Sequence, residues 1–197
     1  MIDMRITDSE NKRHTFPHLF ITLSILLIIS MYPTHPASGD QLKTNPVEVG
    51  NVSWGRDYNE ARQSSRVTGK PLLLLFQEVP GCIGCKTFGQ SVLTHPDLVK
   101  AIENEFIPVL VMNNRSSGID AELLERFREP AWNYQVIRFI DADQNDIIPR
   151  RDRVWDIEGV ASRMVKTLDA VGRPVPRYLE NLARGNYMKG VGITDDN

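Results

Sequence analysis

Leu72 to Gln77 reads LLLLFQ, a continuous apolar run of strand length with no alternation of apolar and polar residues. A strand of that kind is buried on both faces, so it needs cover on both sides of its sheet. Gly69 and Pro71 punctuate the chain just ahead of it, and the polar stretch Asp57 to Thr68 (DYNEARQSSRVT) reads as a helix ending there. Ile107 to Met112 (IPVLVM) is a second buried strand. A helix is expected to open at Cys82, with others over Pro96–Phe106, Asp120–Arg128, Ile157–Val171 and Pro176–Arg184. Val136–Ile140 is a third strand, the polar turn Asp141–Asp146 (DADQND) follows, and Ile147-Ile148 is expected to pair back. Strands alternating with helices imply parallel crossovers, and the late pair implies one antiparallel hairpin. The expected class is α/β, a mixed central sheet with helices on both faces.

The apolar residues are unevenly spread. Leu19 to Met31 (LFITLSILLIISM) carries no charge, follows Lys12, Arg13 and His14, and precedes the small residues Ala37-Ser38-Gly39. That is the pattern of an export signal, with a mature start near Asp40. The run is shorter than the ~20 residues a spanning helix needs. An uncleaved anchor over 16–32, interrupted by Pro17, and a buried core helix are the alternatives. Residues 1–39 are therefore read as signal or anchor and 40–53 as a linker. Residues 54–171 are read as the working domain and 172–197 as a helical extension with a tail. An extracytoplasmic location follows, periplasmic or secreted, with membrane contact only through that N-terminal segment.

The net charge of -2 argues against a nucleic-acid-binding protein. Residues 1–39 contain His14, His18 and His35, so the expected mature chain keeps Cys82, Cys85 and the single His95. A structural zinc usually takes four ligands, which two Cys and one His do not supply alone.

Cys82-Ile83-Gly84-Cys85 stands directly after the first buried strand and at a helix start. A helix N-terminus carries unsatisfied N–H groups and partial positive charge, which favour a thiolate. The first Cys is the expected nucleophile and the second, one turn inward, is placed to attack a mixed disulfide. Competing readings are a structural disulfide, a two-thiolate copper(I) site and two idle buried thiols.

Trp54 with DYNEARQ, then GKPLLLLF, GCIGCKTF, THPDLVKAIENEFIPVLV and the DADQN turn follow one another in an order that resembles a thioredoxin-fold protein of the extracytoplasmic branch, over residues 54–171. The resemblance implies thiol–disulfide exchange with protein thiols and disulfides and with a redox partner. Cys82 would attack and Cys85 resolve, in a monomer that uses no organic cofactor and no metal.

Three departures from the family pattern stand out. Gly81 replaces an aromatic residue before the first Cys, and Ile83-Gly84 replaces Gly-Pro. The family's buried acid falls on Phe76, leaving Glu78 as the nearest acid, expected to be solvated. The family's cis-proline falls on Gln135, with Pro130 five residues upstream; replacement by Gln135 is the favoured alignment. Gly81, Ile83, Gly84, Pro130, Trp132, Tyr134 and Gln135 are thus expected around the substrate, with Trp132 and Tyr134 beside the cysteines. The alternatives are a non-catalytic binding module of the same fold and a copper(I)-handling protein.

Overall fold

The computed structural model describes residues 45–132 and 134–187. The export signal or anchor expected over 1–39 lies outside them, as does the tail beyond 187. Among the described residues no helix is long and apolar enough to cross a membrane.

Helix α1 (Tyr58–Thr68) opens on Asp57, whose side chain accepts the Glu60 N–H at 2.9 Å, and closes at Gly69 in the left-handed conformation. Strand β1 (Leu72–Gln77) follows and is buried along its whole length. Next come α2 (Ile83–Ser91), α3 (Pro96–Glu105), β2 (Ile107–Met112), α4 (Gly118–Phe127) and β3 (Val136–Ile140). Two further helices, α5 (Ile157–Ala170) and α6 (Arg177–Ala183), complete the order. The sheet order is β2-β1-β3, so the apolar strand takes the centre.

Side-chain alternation in β1 divides the core in two. Leu73 and Leu75 pack with Phe88 of α2, Ile102 of α3, Met164 of α5 and Leu179 of α6. Leu72, Leu74 and Phe76 pack with Tyr58 of α1 and Leu123 and Phe127 at α4 on the opposite face. Helices cover both faces, as the continuous apolar run required.

Three expectations are corrected. Strand β1 pairs parallel with β2 but antiparallel with β3, from Leu72↔Ile140 to Phe76↔Val136. Helix α4 starts beside Met112, whose N–H Asp120 accepts at 3.1 Å, and ends with the Phe127 ring 5.9 Å from that of Phe76, so the chain enters the next strand from the same end of the sheet. The Trp132 N–H bonds Asn113 O at 3.3 Å there, so β3 starts beside the end of β1. The hairpin partner of β3 shrinks to the bridge Ile140↔Asp146 and one bond from Ile147 N–H to Phe139 O. Finally, the stretch expected as a linker contributes a 3-10 turn at Val47–Val49, and Val49 and Val52 are buried in the core.

Candidate active site

Alternation along β1 puts Gln77 on the face that α2 covers. Its Nε2 donates to Glu48 O at 2.7 Å and to Cys85 O at 3.1 Å. The end of the central strand is thereby tied to the N-terminal 3-10 turn and to the cysteine helix. The chain then turns through Glu78–Gly81, where Val79-Pro80 is cis. Asn114 Nδ2 donates to Val79 O at 3.1 Å, and Glu48 Oε1 accepts the Gly81 N–H at 2.8 Å.

Space explains why no aromatic residue precedes the first cysteine. A Cβ on Gly81 would stand 2.3 Å from Glu78 O and 2.7 Å from Cys85 Cβ. The turn folds so tightly back on α2 that only glycine fits.

Cys82 is the N-cap of α2, with extended backbone and no side-chain cap on the helix, so it stands at the end where the first-turn N–H groups lack helical partners. Its thiol is half-buried, whereas Cys85 is 0% exposed. Both cysteines are free thiols, with the sulfurs 3.5 Å apart. The Cys85 thiol donates to Gln135 Oε1 at 3.5 Å, and Gln135 Nε2 lies 3.5 Å from Gly84 O. Burial, followed by the hydrogen bond with Cys82, pushes the Cys85 thiol up to about 11.

Glu78 is not solvated, contrary to the sequence expectation. It is 8% exposed, and its Oε2 accepts the Cys82 N–H at 3.4 Å. One oxygen of Glu78 and the two sulfurs lie within 4.8 Å of one another, a donor set able to hold a soft or borderline metal ion.

Gly81, Ile83, Gly84 and Gln135 surround the cysteines, and Pro130 does not join them: it is exposed on the loop after α4. Trp132 is exposed, with a positive φ of 64°. Tyr134 departs from expectation for a reason of parity. Residues 134, 136 and 138 face the side of α4, and Tyr134 packs there with Val136 and Phe127. Its hydroxyl meets Asp152 and Arg150, and Arg150 is also bound by the buried Glu129. Gln135, one residue on, faces the cysteines. The basic run Pro149–Arg153 gives Arg150 to this network.

The aromatic residue beside the nucleophile is Trp155. It lines a groove of about 330 Å³ together with Cys82, Ile83, Thr87, Phe88 and Gln135. Its distance from the cysteines in sequence and the absence of any local motif kept it out of the sequence reading. His95 serves as the N-cap of α3, its ring edge-on to Tyr187.

Residues 53–141 match the family described as thioredoxin-like. The chain is similar to the thioredoxin-related protein DsbJ of Chlamydia pneumoniae, at 28% identity over 100 residues. That stretch covers 51% of this chain and only 27% of the relative, about a quarter of its length. A solved structure titled DsbH Oxidoreductase superposes with a TM-score of 0.49 at 22% identity, covering 69% of this chain and 96% of that one. The family match spans all three strands and the cysteine pair between them, so residues 53–141 carry a thioredoxin-like fold.

Proposed function

We propose that this chain is an exported thiol–disulfide oxidoreductase that exchanges disulfides with protein substrates. The observation that carries the reading is the asymmetry of two free thiols 3.5 Å apart at the start of α2, one reachable and one fully buried. The Cys82 thiolate attacks a substrate disulfide, forming a Cys82–substrate bond as the substrate S–S bond breaks and one substrate thiolate leaves. Cys85 then attacks the Cys82 sulfur, the mixed disulfide breaks, and the second substrate thiolate departs. The substrate gains two electrons and the protein keeps a Cys82–Cys85 disulfide; run in reverse, the same steps oxidise a substrate dithiol. Cys85 must lose its proton before it attacks, and Glu78, within 4.8 Å of both sulfurs, is the group that receives it. The uncharged run Leu19–Met31 behind Lys12 and Arg13 supports export.

Turnover of a disulfide-bonded model protein by the parent, by Cys82→Ser and by Cys85→Ser tests the reading. Parental turnover that both variants lack is the expected result. Equal turnover in all three, or none in the parent, removes the oxidoreductase reading in favour of a binding module.

The donor set of Glu78, Cys82 and Cys85 favours one second reading, copper(I) handling through the two thiolates. Stoichiometric competition between the reduced protein and a copper(I) chelator tests it. Binding lost in Cys82→Ser would support it, and failure to compete would end it.

A further inference from the structure

We infer that the groove between Ile83 and Trp155 is a side-chain subsite, which selects substrates carrying an apolar residue next to the cysteine that Cys82 attacks. The inference rests on the exchange chemistry proposed above and adds a substrate class to it.

Cys82 itself lines the groove, so whatever is bonded to its sulfur has its flanking residues inside or at the rim. That fixes the occupant as a peptide segment around a cysteine. The lining fixes its chemistry. Ile83, Phe88 and Trp155 supply apolar surface, Thr87 and Gln135 are neutral, and among the described residues no acidic or basic side chain lines the groove. A charged flanking residue would lose water there without a partner, whereas an apolar one gains burial.

The backbone on both sides of Trp155 is anchored. Val154 before it packs against the core, and Asp156 after it caps α5 by accepting the Gly159 N–H at 2.6 Å. Gly159 leaves the room this turn needs, since a Cβ there would stand 2.9 Å from Val154 Cγ1 and 3.0 Å from Asp156 Oδ1. A tightly anchored turn therefore presents a tryptophan 52% exposed in the groove that the nucleophile and an isoleucine 81% exposed also line. Aromatic surface carried on an anchored turn is the usual core of a binding site.

The test uses the full chain with Cys85→Ser, so that mixed disulfides at Cys82 persist. The Cys82–glutathione disulfide is equilibrated with a cysteine peptide; the peptide thiol displaces glutathione, which leaves as a thiol, with no net oxidation. Intact mass gives the exchange constant for a peptide with Leu beside its cysteine and for one with Asp there. An advantage of about ten-fold for the Leu peptide is expected, falling to about one in Trp155→Ala and largely kept in Trp155→Phe. A thermal melt like the parent's shows that Trp155→Ala is folded. No preference in the parent, or a preference that survives Trp155→Ala, overturns the subsite. Selective mixed disulfides without protein-disulfide turnover by the unmutated chain would sink the oxidoreductase reading and leave the subsite standing.

Discussion

Glu78 accepts the backbone N–H of Cys82 through its Oε2 at 3.4 Å while remaining 8% exposed. The contact spans the tight turn between β1 and α2, so a carboxyl group stands beside both sulfurs without coming from the strand itself. Burying an acid is costly unless its oxygens are used. Here one oxygen serves the backbone of the nucleophile and the group is in place to receive a proton from Cys85.

Glu78→Gln separates these two tasks. The amide oxygen still accepts the Cys82 N–H, but the side chain no longer takes a proton. Formation of the mixed disulfide should stay near the parental rate, and its resolution by Cys85 should slow about 10- to 100-fold. Resolution should recover as pH approaches 11, where hydroxide removes the Cys85 proton directly. Rapid acid quenching with mass analysis distinguishes the two steps; equal slowing of both would assign Glu78 a purely structural part.

The Cys85 thiol, pushed up to about 11 from an ordinary value of 9.0 by burial and then by the Cys82 hydrogen bond, gives a pH signature. The folded state holds this proton more tightly than the unfolded state does. Its contribution to stability is complete below pH 9 and is lost as pH rises through 11. The stability of Cys82→Ser relative to Cys82→Ser/Cys85→Ser should therefore fall across that window in thermal melts. A difference that stays flat from pH 8 to 11 contradicts the burial of the thiol.

Glu129 anchors the loop that carries Gln135. Its side chain is 0% exposed, and its Oε1 receives Arg138 at 2.9 Å and Arg150 at 2.7 Å. Glu129→Ala leaves two arginines around an empty buried position, a loss of about 3–5 kcal/mol in denaturant unfolding. A loss below about 1 kcal/mol would show that the network is solvated rather than buried.

The apolar run Leu72–Gln77 and the cysteines that follow it were legible because each is a local pattern: a strand buried on both faces, then a helix start. The extent of β3 was legible too, but not its direction, because the path of the chain through α4 and the loop after it has no local periodicity. Glu78 read as solvated because its burial comes from Gly81 folding against Cys85 and from the backbone of a neighbouring turn, neither visible in a carboxylate's own surroundings. Tyr134 and Trp155 were exchanged in role for a similar reason. Parity turns Tyr134 to the opposite face of the sheet, while Trp155 reaches the cysteines only through the folding of the α5 cap.

The central claim is that Cys82 attacks and Cys85 resolves, and trapping tests it most directly. Cys85→Ser and Cys82→Ser are each mixed with a disulfide-bonded protein and their intact masses recorded. A mixed disulfide that accumulates on Cys82 in Cys85→Ser, with no adduct on Cys82→Ser, is the predicted result. An adduct on Cys85 in Cys82→Ser, or no adduct on either variant, would contradict it.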